Sequence, residues 1–529
     1  MLQTNFLQWD KLLSPIRARA SHNTPDNADK VIDLRKDFEK DFQRVILSAS
    51  FRRLQDKTQV FPLDKSDFVR TRLTHSLETA SFAKSICKLC FTKLNADWSN
   101  ANLPDGLSLP KPEYLAYWEN ILLTAGLLHD IGNPPFGHYG ETTIRAWFKN
   151  NLPRLNFHEK SLSEWLTPKM QADLLNFEGN AQALRLLTKL HFIVDEHGMN
   201  LSYPVLHCLI KYPVHSLAIS EQALDVGRAN NSVNNLELQD VAHHKLGYFY
   251  AEREIFRDIS LSLGTALGGN LEPTTNQANA QLSYNYPETR GEIACRHPLS
   301  FLLEACDDIA YRTADIEDAL RKGKLSYHTL LHELNQAVAK QAELKVDLDN
   351  LLYFYNLAET KHYVEPELYA VQNWLIQAQS RLLTDVAASF SENYVAIMQG
   401  QFRYPLAYKR YSASLLDLLG DIAYRYVFTS KDIVSLEVAC DTVLRGLLDL
   451  FIPACIYFEQ SSVNKQPVHE RLMRLVSKNY MQSYHFQAAH KDEKEQLYLR
   501  LLLITDYICG MTDNYARDLY QQLKGISEV

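Results

Sequence analysis

Apolar side chains return every three to four residues along most of this chain, and the alternation of half-buried strands is scarce. That period is the one a helix needs to turn a single stripe toward a core. In "RLTHSLETASFAKSICKLCFTKL", residues 72–94, Leu73, Leu77, Ala80, Ala83/Lys84 and Cys87 fall near such a stripe. "EYLAYWENILLTAGLLHDIG" reads as a second, more apolar helix, "GHYGETTIRAWFKNN" as a third and "FEGNAQALRLLTKLHFI" as a fourth. "HPLSFLLEACDDIAYRTADIEDALRKG" reads as a fifth, with Gly323 as its stop. The expected class is mainly α.

The organisation follows from where this pattern weakens. Residues 1–45 read as an N-terminal arm, 46–325 as the core and 326–529 as a further helical region packed on it, with no Pro/Gly linker between the last two. Two stretches inside the core read as insertions. Residues 95–112 are rich in Asn, Pro and Gly, and residues 263–291 are polar and aperiodic.

Composition removes several classes of function. A net charge of −8 gives no overall basic surface for nucleic acid, although one cleft can still be basic. No apolar run approaches the roughly 18 residues of a membrane span, and the start has no signal-peptide pattern. The 8 scattered cysteines suit a reducing cytoplasm better than a disulfide framework. Cys87 and Cys90 form a lone CxxC inside a helix and read as buried thiols.

The chemistry starts in "LLHDIGNPPFGHYGE", residues 127–141. His129 and Asp130 end an apolar helix, two prolines stop it, and the chain restarts at Gly137 with His138 and Glu141 three positions apart on a first turn. Histidines and carboxylates from separate helices can share one divalent cation. His75 lies near the start of its helix in "RTRLTHSLE", and Asp307, Tyr311 and Asp315 follow one another at spacings of four along one helical face.

The order His75, His129-Asp130, Asp307 resembles the HD superfamily of metal-dependent phosphohydrolases. "FRRLQDKTQVFPL", "RTRLTHSLE", "LLHDIGNPPFGHYGE", "NFEGNAQALRLL", "LEACDDIAYRTADIEDA" and "LLITDYICGMTDNYA" resemble its deoxyguanosinetriphosphate triphosphohydrolase family in order, from residue 51 to 516. Cys306 and Cys509 stand where that family has small residues. The resemblance implies a multi-helix HD core with an additional C-terminal helical region. It implies hydrolysis of a deoxynucleoside triphosphate, dGTP foremost, to deoxynucleoside and tripolyphosphate by water attack at the α-phosphorus.

Carried onto this sequence, the resemblance makes His75, His129, Asp130 and Asp307 the ligands of one divalent cation per subunit. Mn2+ or Mg2+ comes first, with Co2+, Ni2+, Fe2+ and Zn2+ as alternatives. His138 would transfer a proton, with Glu141 orienting its ring. Arg72 and Lys211 are the preferred phosphate ligands among Arg53, Arg72, Lys211 and Lys245. Tyr311 would meet the phosphates and underlie the deoxyribose, leaving no room for a 2′-OH. Asp315 would accept a hydrogen bond from the 3′-OH, and Gln59 is a further sugar ligand. Glu178 and Asn180 read equally as supports for the site or as the start of a helix. His243-His244 reads as surface, and the 506–516 block as packing or a subunit contact. The resemblance also implies a cytoplasmic homo-oligomer, hexameric or tetrameric and off the membrane, with single-stranded DNA or a nucleotide as an open effector. A different HD-type hydrolase, or a nucleic-acid-binding module with an inactive HD site, are the alternatives. The GYP and HDxxED signatures of two such rivals are replaced here by "HDIGNPPFGH".

Overall fold

The structure is a computed structural model that describes residues 6–19, 36–61, 63, 66, 68–99, 102–191, 196–218, 245–266, 293–407, 410–460 and 466–526. It is built of helices. Among the described residues the strands are one antiparallel ribbon, Asn156–Phe157 against Lys160–Ser161.

Helix α1, Arg72–Trp98, starts on a capping box: Thr71 N donates to Thr74 Oγ1 at 2.9 Å and Thr74 N to Thr71 Oγ1 at 3.4 Å. Helix α2, Leu115–Leu128, follows a 3-10 turn at Pro112–Tyr114. The two helices pack closely because Gly126 has no side chain; a Cβ there would lie 2.7 Å from Ala80 Cα. Helix α3 covers Gly137–Asn151, the span its sequence indicated, and α4 covers Gly179–Arg185 before a π-turn at Leu186–Leu190. Helix α5, Tyr203–Leu209, leads to the segment carrying Lys211. Helix α6, Pro298–Arg321, begins on His297, whose Nδ1 accepts from Leu299 N at 3.2 Å, and stops before Gly323 at φ +65.

The stripe expected on α1 needs correction at Leu77, which is 52% exposed. The buried face instead runs through Arg72, His75, Ser76, Thr79, Ala80, Ala83, Ile86, Cys87 and Cys90. Its first turns are polar because they line a charged centre rather than an oily core. The helix also continues through Asn95–Trp98, into the stretch read as an insertion, and Trp98 Nε1 donates to Ser391 O at 3.1 Å. Of residues 263–291, those after Ala266 lie outside the described residues.

The C-terminal helices are integral to this body. Helix α7, Pro366–Glu392, lies along α1 and α6; α8, Lys431–Ile456, lies along α3, where Trp147 Nε1 donates to Asp449 Oδ1 at 2.7 Å. Helix α9, Glu493–Cys509, is buried from Leu497 to Cys509, and α10, Asp513–Lys524, follows it. The N-terminal strap ties in as well, with Leu7 N donating to Met398 O at 2.7 Å and Trp9 Nε1 to Tyr394 OH at 2.8 Å. All eight cysteines are buried and unbridged. Among the described residues, no helix is long and apolar enough to cross a membrane.

Candidate active site

Three helices bring the expected ligand set to one point. His75 comes from the first turns of α1, His129-Asp130 from the end of α2 and Asp307 from α6. His75 Nε2 and His129 Nε2 lie 3.2 Å apart, and Asp307 Oδ1 lies 3.1 and 3.2 Å from them respectively. Asp130 Oδ2 is 3.6 Å from His129 Nε2 and 4.0 Å from His75 Nε2. His129 Nδ1 is 2.8 Å from the Gly126 carbonyl, which only accepts, so this nitrogen carries the proton and the neutral ring turns the Nε2 lone pair to the centre.

The electrostatics describe a place for a positive charge. Burial opposes a proton on His129, but Asp307 and Asp130 outweigh it and raise the ring's pKa. Burial pushes the other way on the acids and loses again. Arg72 and His129 hold Asp130 well below the carboxylate range, and Lys211 and His129 do so for Asp307. His75, His129 and Asp130 offer ligand atoms all within 4.8 Å of one another, and Asp307 Oδ1 stands beside both rings, a donor set that fits a divalent ion of the Mn, Fe, Co, Ni, Zn or Mg kind.

Both preferred phosphate cations stand at this centre. Arg72 Nη1 donates to Asp130 Oδ2 at 2.6 Å, and Lys211 Nζ donates to Asp307 Oδ2 at 2.6 Å. The Asp307 stripe is not a solvated face: Asp315 is buried, and Asp307 and Tyr311 are half-buried. Burial raises the Tyr311 phenol to about 12 even though Arg312 Nε donates to its oxygen at 3.0 Å. Burial, with Asp318 nearby, raises the Asp315 carboxyl to about 8. Gln59 offers a buried Oε1 with no hydrogen-bond partner in the structure, an acceptor open to a ligand hydroxyl.

His138 and Glu141 form the expected pair, with Nδ1 2.9 Å from Oε2. The imidazole is exposed while Glu141 is buried. Glu141 Oε1 accepts from Gly179 N at 2.7 Å and Oε2 from Arg145 Nη2 at 3.2 Å. Burial alone would raise this acid; His138, then Lys245 and Arg145, hold it well below its usual range. Glu178 both precedes α4 as its cap and pairs with Arg145 at 3.2 Å and Lys245 at 3.1 Å. Lys245 is therefore engaged by an acid. Arg53 lines a small crevice with Lys57, Gly132, Gln182 and Tyr480. Asn180 sits in the first turn of α4, and His243-His244 lies outside the described residues.

Four contributors escaped the sequence reading. Asn133 Nδ2 donates to Asp130 Oδ1 at 2.6 Å, and its place three residues after Asp130 was a usable signal. Arg145, four residues beyond Glu141, was another. Lys57 and Asp513 carried no local signal, since their contacts reach across the chain: Lys57 Nζ donates to Asn133 O at 2.6 Å, and Asp513 Oδ1 accepts from Phe136 N at 2.9 Å.

The HD domain family matches residues 72–166, which hold every site residue from Arg72 to Glu141, and the Phosphohydrolase-associated domain matches residues 406–522. A "Deoxyguanosinetriphosphate triphosphohydrolase-like protein" of Listeria monocytogenes is 40% identical over 98% of this chain and 100% of its own length. One of the same name from Synechocystis sp. is 32% identical over 98% of this chain and 100% of its own. A "Deoxyguanosinetriphosphate triphosphohydrolase" of Serratia proteamaculans is 30% identical over 94% of this chain and 96% of its own. With both family models matched and relatives covering 94% or more of it, the chain belongs to the deoxyguanosinetriphosphate triphosphohydrolase family of HD-domain phosphohydrolases.

Proposed function

We propose that this protein is a divalent-metal-dependent deoxynucleoside triphosphate triphosphohydrolase, with dGTP as its foremost substrate. The observation that carries this reading is the convergence of His75, His129, Asp130 and Asp307, with Arg72 on Asp130 Oδ2 and Lys211 on Asp307 Oδ2. In the reaction, water oxygen bonds to the α-phosphorus as the bond to the 5′-oxygen breaks. The water loses a proton, the 5′-oxygen gains one, and tripolyphosphate leaves intact.

A cation held by those four residues, Mn2+ or Mg2+ foremost, supplies Lewis acidity at the α-phosphoryl oxygen and lowers the pKa of water. The chain's own groups do the rest. Arg72 and Lys211 gather the polyphosphate within an acidic protein. His138, tied through Nδ1 to Glu141, presents Nε2 to the reacting end and moves the proton to the 5′-oxygen. Tyr311 lies under the deoxyribose and excludes a 2′-OH, while Asp315 and the open Gln59 Oε1 accept from the 3′-OH. The protein works as a cytoplasmic homo-oligomer, hexameric or tetrameric.

Incubation of the protein with each dNTP, singly and mixed, plus Mn2+ or Mg2+, tests this. The expected products are deoxynucleoside and tripolyphosphate, resolved by charge. Release of pyrophosphate or orthophosphate, or no turnover with any dNTP, would refute it.

A further inference from the structure

The turn between the prolines and α3 is backbone that needs support. Phe136 and Gly137 are consecutive left-handed residues, at φ +64 and +60. Gly137 is there for space, since a Cβ would run into the Arg72 guanidinium. Phe136 has no such licence, and a non-glycine residue in this region persists only where its surroundings hold it.

What holds it comes from the far end of the chain. Phe136 N donates to Asp513 Oδ1 at 2.9 Å, and Thr58 N donates to Asp513 Oδ2, also at 2.9 Å. Asp513 is buried at the start of α10. Thr58 bridges Thr71, the cap of α1, and Arg72 N donates to Lys57 O at 3.0 Å. Lys57 Nζ in turn donates to Asn133 O at 2.6 Å and Cys509 O at 2.7 Å. One carboxylate and one carbonyl of the 506–516 block thus grip two active-site segments together. The first leads into Arg72 and His75, and the second into His138.

We propose that Asp513 is a positioning residue, whose carboxylate, spanning Phe136 N and Thr58 N, sets His138 against the Arg72–His75 end of α1. The C-terminal region thereby governs turnover without touching substrate. The proposal rests on the hydrolase reading above.

The test compares wild type, Asp513→Asn, Asp513→Ala and His138→Ala, with each Asp513 change repeated on the His138→Ala background. All are assayed on dGTP with Mn2+ below their melting transitions. Asp513→Ala should lower kcat about 10- to 100-fold, as a displaced reacting group does, with KM within about twofold and Mn2+ affinity unchanged. Asp513→Asn keeps the shape and one acceptor and should fall between. On the His138→Ala background both changes should alter kcat by less than about twofold, because their effect passes through that imidazole. Leu519→Ala, a buried change in the same helix, should lower the melting temperature and leave kcat within about twofold. Undiminished kcat in Asp513→Ala, or the same loss with and without His138, overturns the positioning role. A wild type that makes no tripolyphosphate overturns the reading beneath it.

Discussion

Two buried charged clusters, one at Arg185 and one at His75 and His129, are built on different logic. At Arg185, every charge is spent on a neighbour. Its Nε donates to Asp506 Oδ1 at 2.8 Å, Nη2 to Asp506 Oδ2 at 2.7 Å and Nη1 to Glu252 Oε1 at 2.8 Å, while Gln182 Nε2 donates to Asp506 Oδ1 at 2.9 Å. At His75 and His129, by contrast, two ring nitrogens face each other across 3.2 Å with carboxylate oxygens around them. The paired charges of the first cluster tie helices together, although Glu252 Oε2 and Gln182 Oε1 are left without hydrogen-bond partners. The other pairs its acids as well, Asp130 with Arg72 and Asp307 with Lys211, but it also turns two ring nitrogens toward one point, as a cation site requires.

That contrast predicts that the two clusters fail in different currencies. Asp130→Asn should lower dGTP hydrolysis by about 1,000-fold, since the cation's contribution is several kcal/mol. Its melting temperature without metal should fall, but by less than that of Arg185→Ala, because the amide gives up the charge and keeps an oxygen acceptor for Arg72 Nη1. Arg185→Ala should do the reverse. It leaves Asp506 and Glu252 buried without their cation, a loss of about 3–5 kcal/mol of stability, while activity per folded molecule persists at low temperature. Comparable activity loss in both variants would erase the distinction.

A smaller effect sharpens it. Mn2+ at 100 times its dissociation constant should stabilise wild type by about 2.7 kcal/mol, read as a rise in melting temperature. Asp130→Asn should lose that rise and Arg185→Ala should keep it.

Acidity gives the mildest separation. Asp130 and Asp307 have folded pKa values below their ordinary ones, so they stabilise the fold above roughly pH 4, and that contribution fades as pH falls below it. Asp173, near the Arg185 cluster, goes the other way. Burial raises its carboxyl to about 7, despite donors from Tyr498 and from Tyr250 N at 2.7 Å. A raised acid favours the fold at low pH and withdraws that support as pH climbs from about 4 to 7. Asp173→Asn should flatten this fall in denaturant melts, and an unchanged slope would assign it elsewhere.

The helical class of the fold was legible in the sequence from the period of its apolar residues. The nearness of His75, His129, Asp130 and Asp307 was expected from the family's motifs rather than from spacing, whereas local spacing put His138 beside Glu141. Boundaries of α3 and α6 were readable from Gly137, Pro298 and Gly323. Leu77 misled because helical periodicity assumes an apolar inner face, whereas α1 turns histidine, serine and threonine inward. Lys57 and Asp513 were invisible for a plainer reason. Their partners, Cys509 and Phe136, stand hundreds of positions away, and no periodicity encodes such a pairing.

The most direct measurement is an anomalous difference map from a crystal soaked in Mn2+. The account predicts one peak per subunit, within bonding distance of His75 Nε2, His129 Nε2 and carboxylate oxygens of Asp130 and Asp307. A map with no peak among those four side chains, or with the ion bound elsewhere, would contradict it.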